Sequence, residues 1–262
     1  MKRKFFKSAG LRLSYLDFEG DGKPILLCLH GHFGNANMFA PLARALPDWH
    51  VYSLDQRGHG WSDHAQGDGY RRADYIQDVL QFMDQVLQNR PIVLLGHSLG
   101  GVNAYQAAAK RKDRVRGLII EDIGAVVNDD LSFAAAIVDS APTLRALGAS
   151  LKTFGIDDDR YFIESAQEDE SGWHFRFDKQ HLPISQHRLN GQWWADFLET
   201  TCPALLLHGK RSRVVSDEHI IEMAERRQNT VYRFFAQSGH TIHDDEAAAF
   251  CRAVADFLIQ FQ

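Results

Sequence analysis

Ile92-Val93-Leu94-Leu95-Gly96-His97-Ser98-Leu99-Gly100-Gly101 is an apolar run that stops at a Gly-x-Ser-x-Gly and passes straight into a helical pattern from Val102 to Lys110. A serine is thereby held where a strand turns sharply into a helix. Gly96 and Gly100 lie two residues either side of Ser98, where side chains would clash if the reversal pushes Ser98 into a strained backbone with its hydroxyl exposed. Many Gly-rich turns contain such a five-residue pattern. The strand before it and the helix after it make this one a nucleophile elbow.

The flanking chain repeats the theme. Ile25 to Leu29 is an apolar run of the kind buried on both faces, ending in His30-Gly31-His32-Phe33-Gly34. Residues 35 to 46 place Met38, Phe39, Leu42 and Leu46 on one helical face. Val51 to Leu54 is a strand ending in Asp55-Gln56-Arg57-Gly58-His59-Gly60, and the spacing of Ile76, Val79, Leu80, Met83, Val86 and Leu87 predicts a helix over 75–87, closed by Asn89-Arg90-Pro91. After the elbow helix, Val115 to Ile120 is apolar and runs into Glu121-Asp122-Ile123-Gly124. Pro203 to Leu207 resumes the buried-strand pattern and ends in His208-Gly209. A helix over 217–227, a strand over 231–235, the loop Gln237-Ser238-Gly239-His240 and a helix over 246–261 follow. Residues 3 to 18 read as an edge hairpin turning at Ser8-Ala9-Gly10.

Strands alternating with helices imply an α/β fold: a mostly parallel sheet with helices on both faces, joined by right-handed crossovers. Residues 126 to 200 lose the alternation, read as mainly helical and carry Trp173, Trp193 and Trp194. The expected organisation is therefore a core of residues 1–125 and 201–262 with a helical cap, 126–200, inserted above one edge of the sheet. Ligands bind at the carboxyl ends of such strands, and Ser98, Asp122, Ser212 and His240 all fall there.

Composition narrows the partner. The chain has 262 residues, 45% of them hydrophobic, and a net charge of −5, with its basic pairs scattered. That argues against a nucleic-acid surface or an anionic membrane and for a small, neutral-to-apolar ligand. The basic start Met1-Lys2-Arg3-Lys4 is interrupted by Lys7, Ser8 and Gly10 before a signal-like apolar core forms. Cys28, Cys202 and Cys251 show no metal-ligand spacing and read as thiols of a reducing compartment, so a cytoplasmic location is expected. No metal and no other cofactor is called for.

A serine hydroxyl becomes a useful nucleophile when an imidazole takes its proton, and the imidazole needs a carboxylate to fix its tautomer. His240, in a Gly-containing loop after the last strand, is the natural base. Its rival His243 sits nearer the final helix, where packing or capping is the simpler role. Asp122 is the acid expected to orient His240. Glu121 should point to the opposite side of its strand by alternation, and Asp217 reads as a charge at a helix N-terminus.

These motifs together, His30-Gly31, Asp55 to Gly60, Gly96 to Gly101 and Gly239-His240, resemble the α/β-hydrolase superfamily. The resemblance implies an oxyanion hole made of the backbone N–H groups of Leu99 and His32, and a positional role for Asp55, Arg57 and His59. It also exposes a departure. Most members carry the acid in a Gly-x-x-Asp after the penultimate strand, where this chain reads Gly209-Lys210-Arg211-Ser212. With Asp122 supplying the carboxylate and Ser212 in the usual acid position, the chain is similar to small bacterial serine esterases. That likeness implies a hydrogen bond from Ser212 into the Asp122–His240 pair, a plain loop serine being the alternative.

The resulting expectation is a carboxylesterase for small to medium acyl chains, with Phe33, Trp173, Trp193 and Trp194 as substrate-binding residues; packing of the tryptophans onto the core is the equal alternative. The same constellation serves thioester, lactone, amide or C–C bond hydrolysis and perhydrolysis. A ligand receptor on this scaffold and a metal hydrolase using His30, His32, His59 and His64 are readings of other classes.

Overall fold

The computed structural model describes residues 1–88 and 90–262; Asn89, expected in the turn that closes a helix, lies outside them. The N-terminal hairpin pairs β1 (Lys2–Ser8) with β2 (Leu11–Asp17). The apolar runs form β3 (Ile25–Leu29), β4 (His50–Leu54), β5 (Ile92–His97) and β6 (Val115–Glu121). Between them run α1 (Ala40–Ala45), α2 (Arg72–Gln85) and α3 (Leu99–Lys110). The helix expected over 35–46 splits into a 3-10 turn, Ala36–Phe39, and α1, because Pro41 starts a new first turn. Helix α2 starts three residues earlier than its apolar pattern, since the Asp74 carboxylate accepts the Arg71 N–H at 2.9 Å and caps the turn.

Residues 126–200 contain β7 (Val126–Val127), α4 (Leu144–Ser150), α5 (Arg160–Ile163), β8 (Ala166–Asp169), β9 (Gly172–Phe175), α6 (Leu182–Leu189), β10 (Gly191–Gln192) and α7 (Trp194–Leu198). Short helices alternate here with two small antiparallel sheets, β7 with β10 and β8 with β9. The segment has a small core of its own, with Ile137, Leu151, Phe162 and Leu182 buried around Phe33. The chain then completes β11 (Ala204–Gly209), α8 (Asp217–Arg226), β12 (Thr230–Phe235), α9 (Ile242–Asp245) and α10 (Ala247–Leu258).

Eight strands form one sheet in the order β1-β2-β4-β3-β5-β6-β11-β12, parallel from β4 to β12 and antiparallel through β2. Alternation divides each central strand between two cores. Leu27, Leu94, Leu118 and Leu206 face one core with Tyr75, Phe82, Val102 and Met223. Leu26, Leu95, Ile119 and Leu207 face the other with Phe39, Leu42, Phe250 and Val254. Burial on both faces is what makes these strands read as unbroken apolar runs, each such side chain contributing about 1.5–3 kcal/mol. No helix among the described residues is long and apolar enough to cross a membrane.

Candidate active site

Ser98 follows the last residue of β5 and precedes α3, with φ 51 and ψ −120. This is a strained conformation for a residue with a side chain. Two glycines permit it. A Cβ on Gly96 would fall on the Gly100 backbone, and one on Gly100 would fall on the Leu29 carbonyl, so α3 docks directly against the ends of β5 and β3. The Ser98 N–H donates to the Glu121 carbonyl at 3.0 Å, which ties the turn to β6.

Asp122, immediately after β6, is fully buried and also has a positive φ of 51. Its carboxylate accepts four hydrogen bonds. Oδ2 receives His240 Nδ1 at 2.7 Å and the Ser212 hydroxyl at 2.5 Å; Oδ1 receives His208 Nδ1 at 2.7 Å and the Gly209 N–H at 3.1 Å. Burial pushes the carboxyl pKa up, but hydrogen bonds from His208, His240 and Ser212 and the attraction of His240 outweigh it and leave it below its usual value. The loops meet because Gly209 lacks a side chain, its Cβ position coinciding with the Gly239 carbonyl. Ser212 is thus brought to Asp122, as the resemblance implied. The His240 carbonyl accepts a bond from His97 Nε2 at 2.9 Å, which fixes the base from behind. Glu121 points the other way, as alternation requires, and binds the His243 N–H at 2.9 Å and Nδ1 at 2.8 Å. His243 is therefore a buried partner of Glu121.

Ser98 and His240 line one cavity of about 350 Å³, together with His32, Phe33, Val214 and Thr241 from the loops and Leu131, Tyr161, Phe162 and Gln186 from the 126–200 segment. The N–H groups of His32 and Leu99 donate to no group among the described residues. Tyr161 donates its hydroxyl to the His32 carbonyl at 2.8 Å, and His32 Nε2 bonds Ser185 at 2.9 Å, so residues of the 126–200 segment hold the loop that carries His32. Asp129, Asp158, Asp244 and Asp245 also face the cavity, against Arg160 alone. That arginine is already tied to Asp158 at 2.5 Å and Asp245 at 3.2 Å.

None of the three tryptophans lines this cavity. Trp173 lies in the β8–β9 hairpin and exchanges two 2.8 Å backbone bonds with Ala141. Trp193 bonds the Leu189 carbonyl at 2.8 Å and packs, with Trp194, on the core beneath α3; the Arg226 guanidinium stacks 3.7 Å over Trp194. Buried Phe197 roots α7 in that core, so the last residues of the segment belong to the packing of the main sheet. Phe33 does face the cavity, at a positive φ of 67.

Asp55 is buried under bonds from Ser14, Arg3 and the Ala36 and Trp61 N–H groups, and Arg57 pairs with Asp78 at 2.7 Å, which gives both a positional role. Burial lowers the pKa of His30 to about 4 and that of His59 to about 3, while His64 lies apart beside Asp178. Among the described residues, the group that brings three metal-ligating atoms within 4.8 Å of one another is His97, Glu121 and His243; His30, His32, His59 and His64, weighed as the alternative of a metal hydrolase, form no such group. Tyr161 and His208 were not foreseen: Tyr161 lies where the sequence pattern is weakest, and His208 is one letter of a strand end.

Comparison with known proteins agrees with this architecture. The family model described as alpha/beta hydrolase fold matches residues 24–247. The sn-1-specific diacylglycerol lipase ABHD11 of Mus musculus is 29% identical over 279 residues, covering 95% of this chain and 85% of the relative. The 2-(acetamidomethylene)succinate hydrolase of Mesorhizobium japonicum is 26% identical over 251 residues, covering 92% and 89%. Among solved structures, an E-2-(acetamidomethylene)succinate hydrolase superposes with a TM-score of 0.83 at 22% identity, covering 98% of each chain. A marine microorganism esterase gives 0.79 at 23% identity, covering 94% of this chain and 99% of the other. With an elbow serine after β5, a parallel sheet flanked on both faces and a family match across most of its length, the chain belongs to the alpha/beta hydrolase fold family.

Proposed function

We propose that this protein is a serine carboxylesterase acting on uncharged esters of small to medium acyl chains. The observation that carries the reading is the Asp122 carboxylate, 2.7 Å from His240 Nδ1, with His240 and the strained Ser98 lining the same cavity. Ser98 Oγ attacks the acyl carbon while His240 Nε2 removes its proton; Asp122 holds the ring in the tautomer that leaves Nε2 free and balances the imidazolium that forms. The two unengaged N–H groups of Leu99 and His32 receive the oxyanion, each donor being worth about 10²–10³ in rate. His240 then protonates the departing alkoxide. Water, deprotonated by the same ring, attacks the acyl-Ser98 ester, and the acid leaves with the serine hydroxyl restored.

A cavity of about 350 Å³ suits a small acyl group. Four aspartates on its wall against one neutralised arginine disfavour a carboxylate on the substrate. Residues 126–200 act as the cap that supplies Leu131, Tyr161 and Phe162 as apolar wall. The test is turnover of p-nitrophenyl acetate and butyrate by the wild type and by Ser98→Ala. The wild type should show a burst of one p-nitrophenol per chain followed by steady turnover, and Ser98→Ala neither. A protein that binds these esters without turnover, or a Ser98→Ala variant that keeps it, overturns the reading.

A further inference from the structure

His208, the penultimate residue of β11, is buried, and its ring lies edge-on to Phe234 of β12, 5.6 Å between centroids. A neutral core histidine donates through one ring nitrogen and accepts through the other, as His30 does between the Gly31 carbonyl and the Gln56 N–H. His208 has a carboxylate at each ring nitrogen: Asp122 Oδ1 2.7 Å from Nδ1 and Asp217 Oδ1 3.0 Å from Nε2. Carboxylates accept and do not donate when ionised. Both nitrogens are therefore placed to donate, and the ring bridges the two carboxylates. Asp217 is in turn paired with Lys210 and anchored at the first residue of α8, after the Ser216 cap. The groups facing His208 are thus Asp122 from the β6 end, Asp217 from α8, Lys210 behind Asp217, and the uncharged ring of Phe234.

We propose that His208 is a positioning residue for the esterase reaction: it grips Asp122 Oδ1 from the side opposite His240, fixes the plane of the carboxylate, and weakens that carboxylate's hold on the His240 proton. The inference rests on Asp122 being the acid of the proposed esterase. Two imidazoles share one carboxylate, His208 through Oδ1 and His240 through Oδ2. The N–H that His208 places on Oδ1 draws on the negative charge of the carboxylate that His240 shares, so the two rings are coupled through Asp122. Asp217 holds His208 in the orientation that makes this work. It does so from the protein's rim, with its side chain 30% exposed.

The experiment measures kcat, KM and the pH profile of kcat/KM on p-nitrophenyl butyrate for the wild type, His208→Gln and Asp217→Asn. His208→Gln should lower kcat by about tenfold to a hundredfold with KM little changed, as expected for loss of a hydrogen bond to a charged group. Its acid limb should move up by about one pH unit, because the uncompensated Asp122 favours protonated His240. Asp217→Asn should shift both in the same direction by less. A kcat loss in both variants with the acid limb unmoved would mark a purely structural role and overturn the proposal, as would wild-type kinetics. Should His208→Gln fail to fold, the rim variant Asp217→Asn decides by its limb alone. Retained turnover in Ser98→Ala or Asp122→Asn is instead a failure of the esterase reading, and a wild-type-like His208→Gln beside inactive Ser98→Ala and Asp122→Asn is a failure of His208 only.

Discussion

Replacing Asp122 by asparagine puts the proposed chemistry under the most stringent test, because four donors converge on its two oxygens. An amide has one accepting oxygen and one NH₂. If the amide oxygen faces His240 and Ser212, the NH₂ is driven against His208 Nδ1 and the Gly209 N–H. If it faces His208 and Gly209, the NH₂ meets His240 Nδ1, which must then accept, moving the ring proton to Nε2. In that tautomer the ring has no lone pair for the Ser98 proton. The site is fully buried, so no solvent relieves either mismatch. Inverting the tautomer of a triad histidine lowers kcat by roughly 10⁴, about 5.4 kcal/mol of transition-state stabilisation. Steady-state kcat of Asp122→Asn on p-nitrophenyl butyrate at neutral pH, beside near-ultraviolet circular dichroism to confirm the fold, measures it. A folded variant within tenfold of the wild type would refute the assignment of the acid.

Ser212→Ala removes one of the four donors and leaves His240 in place, so kcat should fall by only about tenfold; a loss larger than that of Asp122→Asn would make Ser212 the more important group. Gly100→Ala thrusts a methyl group onto the Leu29 carbonyl and should cost about 3 kcal/mol or more. An unchanged denaturant midpoint would contradict the close approach of α3 to β3. Among esters of matched size, the neutral butyrate should exceed the hemisuccinate in kcat/KM by about tenfold at low salt, the gap narrowing as salt screens the cavity aspartates. Equal rates for the two would show that those aspartates do not select against charge.

Sequence and structure contribute unequally to this picture. The elbow, the buried strands and the candidates Ser98, Asp122 and His240 were legible because each is a local event: an apolar run can be buried only as a strand or a helix core, and it ends where polar side chains must reach the surface or one another. The vacancy at Ser212 was legible for the same reason. The tryptophans were not, since composition says that an aromatic side chain is buried without saying on which side of the chain; the anchoring of α7 through Phe197 carried Trp193 and Trp194 to the main core and left the cavity wall to Tyr161 and Phe162.

The sequence by itself determined that a serine stands at a strained strand-to-helix turn on a parallel sheet, because glycine spacing and hydrophobic period are properties of the chain. Only the tertiary structure decided that both oxygens of Asp122 are engaged, that His208 stands between two carboxylates, and that the cavity wall is rich in aspartate. Those facts depend on the approach of loops roughly 90 to 120 residues apart, permitted by the bare backbone of Gly209 against Gly239, and no local pattern records an encounter at that separation.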